Sequence, residues 1–353
     1  AFVRLPDEPR VEIVADRPAS VFVTAKPPGG AGSEQFEVVA SVRDRFGNLA
    51  DYEGRLKIES TDPNADLPQA VGVNEGAGLC EIHPGRRPEG AVRIEGCRLE
   101  AETARITLYD PHRQIIGTSN VAAPGFAGDG LQVYFGDLHV MTGGGRPGRM
   151  MLGDTDYAYQ WARDVQGLDF SVVTNGGTGE KWEDDLRVDD EFNEPGRFVT
   201  IPAMERYAVT GHKNLYFRST DVPALPGCSV DEMFDWLAQL DVPAMAISHH
   251  PNAHSETSRY FAWGPQDFST SDPRFERLVE ICQCRGSMEV EEVGGAVSLG
   301  GLGSSIQSAL ARGLRLGFVG GTDNHRAQPG SKLSNLGGLV AEEIINGGYT
   351  AVF

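Results

Sequence analysis

The feature that most constrains this chain is a change of texture near residue 124. Before it, short alternating apolar runs recur at Val11–Val14, Val21–Ala25, Phe36–Val42, Leu56–Ile58, Ala91–Ile94 and Arg105–Tyr109. Turn-forming clusters separate them, including Pro27-Pro28-Gly29-Gly30 and Gly47-Asn48. Short alternating runs at regular spacing predict half-buried strands packed as a sandwich. The stretch Ala122–Gly130 is small, glycine-rich and broken by Pro124, which marks it as a linker. Beyond it, strand-like and helix-like runs alternate. Val133–Phe135, Leu168–Thr174, Phe198–Pro202, Ala244–Ile247, Leu278–Cys282 and Leu316–Val319 read as strands. Asp154–Val165, Asp231–Leu240 and Ser304–Arg312 read as helices. Repeated β-then-α units predict an α/β barrel. A chain of 353 residues divides here into two domains of ordinary size, residues 1–125 all-β and residues 130–353 α/β.

A net charge of −19 argues against a nucleic-acid partner, because phosphate backbones are met by clustered Lys and Arg. No run of eighteen apolar residues exists, so no membrane-spanning helix is expected. The start shows no signal-peptide pattern, and the compartment stays open between cytoplasmic and secreted. The five cysteines, Cys80, Cys97, Cys228, Cys282 and Cys284, are too few and too irregular for a disulfide framework. Cys80 and Cys97 are placed to pair across a hairpin or to stay as reduced buried thiols; Cys282 and Cys284 read as packing residues of one strand. Gly143-Gly144-Gly145 lacks the Lys-Ser/Thr ending of a nucleotide-binding P-loop.

Six of the eight histidines lie after the linker, and several polar residues fall just past a strand-like run. His139 follows Phe135, Asn175 follows Leu168–Thr174, and Glu205 follows Phe198–Ile201. His249 and His250 follow Ala244–Ile247, and Asp323 and His325 follow Leu316–Val319. The carboxyl ends of barrel strands share one face, where such folds carry their sites. Imidazoles and carboxylates converging there suit a divalent ion such as Zn²⁺ or Mn²⁺, with iron also compatible. Lys181, Arg197, Lys213 and Arg326 are cations near these segments that would serve an anionic small-molecule substrate. Trp182 and Trp263 are either cleft-lining or buried. His83 and His112, in the first half, read as isolated surface residues.

Two resemblances follow from these residues. Val42-Arg43-Asp44-Arg45-Phe46-Gly47-Asn48 resembles the strand-turn of bacterial immunoglobulin-like repeats. Gly136-Asp137-Leu138-His139-Val140-Met141-Thr142 resembles the first motif of PHP (polymerase and histidinol phosphatase) domains, Asp-Leu-His-x-His-Thr. Gly167–Asn175 resembles the second, which ends Thr-Asp-His. Pro195–Pro202 followed by Glu205, then Gly211–Phe217, His249-His250-Pro251-Asn252 and Gly320–His325, complete the pattern in order. The branch that it resembles most is the family called domain of unknown function 3604, over about Val133 to Phe353. The resemblance implies a distorted (β/α)7 barrel holding up to three metals.

By position, Glu205, His212 and His250 would form one metal site, and His139, Glu205 and Asp323 a second. The second site lacks a histidine, because Met141 stands there and a thioether is a poor ligand for Zn²⁺ or Mn²⁺. The third has Asn175-Gly176 in place of Asp-His and keeps only His325. One or two ions are therefore expected, not three. The implied activity is hydrolysis of a phosphoester or related ester, with His249, His325 or Glu205 as base and Asn175, Lys213, Asn214 and Arg326 toward substrate. The alternative is a non-catalytic PHP-like subunit used for binding or assembly. The closing run Gly347–Phe353 reads as a strand where similar proteins continue into a helix, which implies a truncated barrel. Oligomerisation stays open.

Overall fold

A computed structural model of the chain describes residues 15–26, 35–73, 90–123, 132–143, 153–177, 180–207, 211–227, 230–252, 265–284, 286–291, 303–331 and 348–352. The strand expected at Val11–Val14, most of the linker, Cys80, Cys228, His83 and Trp263 lie outside these residues.

The described residues up to 122 form seven strands: Ser20–Lys26 (β1), Phe36–Arg43 (β2), Gly54–Ser60 (β3), Ala70–Val73 (β4), Ala91–Cys97 (β5), Ile106–Asp110 (β6) and Ile115–Thr118 (β7). They make two antiparallel sheets, ordered β1-β2-β5 and β4-β3-β6-β7. Alternation explains why the sheets face each other. Val21, Val23, Leu56, Ile58, Ile106 and Leu108 point inward into one shared core, with Phe36 and Tyr52 as its large members. The sheets touch closely where β7 crosses β1: a Cβ on Gly117 would lie 1.8 Å from the Val21 carbonyl oxygen, so only glycine fits. Cys97 is a buried free thiol.

The second half forms Tyr134–Val140 (β8), Thr155–Gln160 (α1), Phe170–Val173 (β9), Glu180–Phe192 (α2), Val199–Thr200 (β10), Ala203–Arg206 (β11), His212–Phe217 (β12), Val230–Gln239 (α3), Ala244–His249 (β13), Leu278–Gln283 (β14), Gly286–Ser287 (β15), Ile306–Ala311 (α4), Gly317–Gly320 (β16) and Thr350–Val352 (β17). Asp154 caps α1 through a hydrogen bond from the Tyr157 amide. The helix then widens into a π-helical turn, Trp161–Gln166, whose six residues are all buried. This turn fastens the two halves together. Arg93 donates to the Arg163 carbonyl and the Asp164 carboxylate, Arg43 donates to the Gln166 side chain, and Thr24 donates to the Gln166 carbonyl. Gly167 ends the turn in the left-handed region at φ 69°, and any Cβ there would press on Thr24 and Val39 at 3.0 Å.

The expected distorted (β/α)7 barrel is not seen among the described residues. The described residues hold only four α-helices, and the chain is mostly β in four sheets. The strands of the second half build two sheets, β10-β9-β8-β17 and β11-β12-β13-β14-β15, with β16 beside β14. The reason lies in the connections. Parallel neighbours need a crossover of a dozen or more residues, whereas β11 and β12 are joined by the short link 207–211 and pair antiparallel. β12 with β13, β14 with β15 and β17 with β8 are antiparallel too. Among the named strands of the described residues, parallel pairing is confined to β8-β9-β10 and β13-β14-β16. Two isolated bridges, Val140 with Asn324 and Gly176 with Glu205, bring the two sheets side by side. Leu138, Phe170, Val172, Tyr216, Ile247 and Val319 fill the space between them.

Candidate metal centre

Glu205, His212, His249 and His250 form one buried group, with one ligand atom from each within 4.8 Å of all the others. Strand register explains the convergence. Directly paired residues of antiparallel strands share a sheet face, and so do residues two apart. His212 of β12 pairs with His249 of β13, and Glu205 of β11 pairs with Asn214, two residues after His212. Consecutive residues of a strand point to opposite faces, so His250 would turn away if β13 continued. It instead follows the strand end at φ 33°, an uncommon conformation for a non-glycine residue, and its ring comes 4.4 Å from that of His249 and 4.8 Å from that of His212. Asp323, at φ 48°, is similarly strained. Two of the four described non-glycine residues with positive φ thus belong to this region, where backbone strain is commonly kept for function.

His212 Nδ1 lies 3.2 Å and His249 Nε2 2.9 Å from the same Glu205 oxygen. Burial alone would push the Glu205 carboxyl up, but the hydrogen bonds from His212 and His249 hold it well below the usual carboxylate range. Burial, together with the neighbouring His139, pushes the His249 imidazole down to about 4. At neutral pH the group therefore presents a carboxylate and a neutral imidazole, the forms in which these side chains bind metal.

A second set of side chains adjoins the first. The His139 ring lies 4.4 Å from that of His249. His139 Nε2 and His325 Nε2 are 3.4 and 3.3 Å from the same Asp323 oxygen. Asp137, fully buried, ties this region together by accepting from the Thr322, Gly330 and His139 amides and from the Thr322 hydroxyl at 2.5 Å. The structure thus gathers His139, Glu205, His212, His249, His250, Asp323 and His325.

The expected substrate-facing residues fare differently. Lys213, next to His212, necessarily points to the opposite face of β12; its ammonium is buried against Glu276 and Ser248. Asn175 is held by Thr142 and Asp185: its Oδ1 accepts from the Thr142 amide at 2.9 Å, and its Nδ2 donates to the Thr142 hydroxyl at 2.9 Å and to Asp185 at 3.1 Å. Lys181 is paired with Asp185 and Arg197 with Glu194. Asn214 does lie on the ligand face, fully buried opposite Glu205. Arg326 is half-buried one residue beyond His325, its amide bonded to Asn324. Trp182 is a core residue whose indole N–H donates to the Val222 carbonyl at 3.1 Å.

Two residues escaped the sequence reading. Glu280 of β14 contacts His139 Nδ1 at 2.8 Å, and Gln283 donates to Asp323 at 2.6 Å. The signal was present: a glutamate inside the apolar run Leu278–Cys282 is seldom buried without a specific partner.

The donor set of three imidazoles and one carboxylate fits Zn²⁺, Mn²⁺ or Fe²⁺. Ligand atoms at about 2 Å from an ion stand roughly 3.3 Å apart in tetrahedral geometry. The four donor atoms lie within 4.8 Å of one another, somewhat wider than that spacing. Cavities of about 580 and 490 Å³ lie elsewhere, the first between β1 and the π-helical turn, the second at the opposite strand ends around Tyr134, Met245 and Val319.

Neither a protein-family model nor a curated protein sequence matches this chain. Among solved structures it is similar to PsfC from Pseudomonas syringae PB-5123, at 15% identity over 63% of this chain and 92% of that one. The TM-score is 0.39, a likeness too distant to assign fold or function. What the chain's own residues establish is a buried Glu205/His212/His249/His250 group that can hold a metal ion.

Proposed function

We propose that this chain is a metal-dependent hydrolase, PHP-like in its motif residues, acting on a small anionic ester, with phosphoesters as the first class to try. The observation that carries the reading is the buried convergence of Glu205, His212, His249 and His250. In this reading Glu205, His212 and His250 hold one ion, with His249 as a further donor or as the base. His139 and Asp323, with Glu205, are placed for a second. A divalent ion bound there would polarise a substrate oxygen and acidify a water.

The remaining work falls to the chain itself. Glu205 stays ionised because two imidazoles hydrogen-bond to it. His249, neutral at pH 7, can receive a proton, and His325 is the second candidate base, beside Asp323. Lys213, Lys181 and Arg197 are paired with carboxylates; Arg326, one residue beyond His325, is the cation proposed for an anionic group, and Asn214 the amide on the ligand face.

A specific observation favours the second reading, a non-catalytic metal-bearing subunit. Four protein donors, all buried, suffice to fill a tetrahedral ion, and structural sites are closed whereas catalytic ones keep a position open. Assay of phosphomonoesters, phosphodiesters, carboxylic esters and lactones with Mn²⁺ or Zn²⁺ separates the two. Turnover that is abolished by chelator and by Glu205→Ala supports the hydrolase. Absence of turnover in a protein that retains its ion supports the subunit.

A further inference from the structure

We propose that Glu280 and Gln283 of β14 are positioning residues for the second half of the centre, Glu280 setting His139 and Gln283 setting Asp323. The inference rests on the metal-dependent reading above and adds the residues that decide how many ions the centre keeps.

Residues three apart on a regular strand point to opposite faces. Glu280 and Gln283 are three apart, yet both reach the same cluster. The pairing of β14 with β16 shows why: Glu280 stands opposite Val319 and Cys282 opposite Gly320, so one extra residue is inserted between them. Such a bulge shifts the alternation by one and re-aims the side chains that follow, a device common beside functional sites. Without it, Gln283 would face away from Asp323.

The contacts are short and dry. Glu280 Oε2 lies 2.8 Å from His139 Nδ1, with both side chains almost fully buried. A carboxylate at Nδ1 keeps the imidazole hydrogen on that nitrogen and directs Nε2 to the other side, toward Asp323 at 3.4 Å. Gln283 donates to Asp323 Oδ2 at 2.6 Å, while His139 and His325 approach Oδ1. One carboxylate oxygen is thus anchored to β14, and the other is directed at the histidines. The Cys284 thiol lies 3.5 Å from both the Gln283 side-chain oxygen and the Asp323 backbone carbonyl oxygen, either of which can accept its hydrogen.

Gly321 supplies independent support. A Cβ there would lie 2.6 Å from His139 Cβ and 2.7 Å from Glu280 Oε2. The backbone at 321 therefore passes directly over the His139–Glu280 contact, and only a residue without a side chain lets the contact form.

The test uses the whole chain, stripped with chelator and titrated with Zn²⁺, comparing the native protein with Glu280→Leu, Glu280→Gln, Gln283→Leu and Gly321→Ala. A positioning role predicts 10–100-fold weaker binding of the second ion in Glu280→Leu, with the first unchanged, and a smaller loss in Glu280→Gln, which keeps an acceptor. Gln283→Leu and Gly321→Ala should weaken the same ion. If Glu280→Leu does not fold, the other three variants decide. A second readout is the ¹H–¹⁵N correlation of the imidazoles in metal-free protein: His139 should carry its hydrogen on Nδ1, and Glu280→Leu should abolish that preference. Unchanged Zn²⁺ number and affinity in the folded variants, or a hydrogen on Nε2 in the native protein, would overturn the proposal. Native protein that takes up no Zn²⁺ at all would instead sink the hydrolase reading, and the tautomer would still decide whether Glu280 sets His139.

Discussion

Replacing Asp189 with Asn should remove a pH dependence of stability that the native fold carries. Asp189 lies on α2, its side chain buried against Tyr159, whose hydroxyl donates to it. Burial pushes its carboxyl from 3.8 up to about 8; Asp185 and Asp190 push the same way, and the Tyr159 hydrogen bond opposes them. The folded protein therefore keeps a proton that the unfolded chain loses near pH 4. Stability falls as the pH rises whenever the folded state binds the extra proton. The contribution is fully present below about pH 4 and lost as pH rises through the folded value near 8. One proton corresponds to a slope of about −1.4 kcal/mol per pH unit in that window. Between pH 5 and pH 7 the native protein should lose about 2 × 1.4, or roughly 3 kcal/mol, relative to Asp189→Asn. The assay is urea denaturation of both proteins across pH 5–7 in chelator, so that contributions from the histidines cancel in the difference. A difference that stays flat across that range would refute the claim that Asp189 is protonated in the fold.

Three further outcomes follow from the same contacts. Lys213→Met should cost about 3–5 kcal/mol of stability by leaving Glu276 charged and unpaired in the core, while leaving metal affinity unchanged, as unfolding and Zn²⁺ titration would show. Asn175→Asp should lower the melting temperature rather than add an ion, because it sets a second carboxylate where the Asn175 amide now meets Asp185 at 3.1 Å. Metal removal should lower thermal stability, by about 4 kcal/mol if the free ion stood a thousandfold above its dissociation constant, and calorimetry with and without chelator measures it.

The sequence singled out Glu205, His212 and His250, which the structure gathers with His249, because each stands at or near a strand end, and strand ends can be read from apolar runs. It misjudged the architecture because alternation reveals that a strand exists but not its direction. The run around His212 reads alike whether it continues a parallel series or turns back on β11, as it does. The division of labour between His249 and His250 was equally hidden. Neighbouring strand residues face apart, and only the positive φ of His250 lets both rings join one group. Lys213 was misread for the converse reason: period-2 geometry already placed it opposite His212, against Glu276. Glu280 and Gln283 were overlooked because one inserted residue, invisible in composition, sets which way they point.

Elemental analysis of the purified protein for Zn, Mn and Fe, alongside Glu205→Ala and His250→Ala, tests the central claim most directly. At least one ion per native chain, lost in both variants while their fold is retained, is the predicted result. A native protein that holds no ion after incubation with each metal, and whose melting temperature does not respond to chelator, would contradict it.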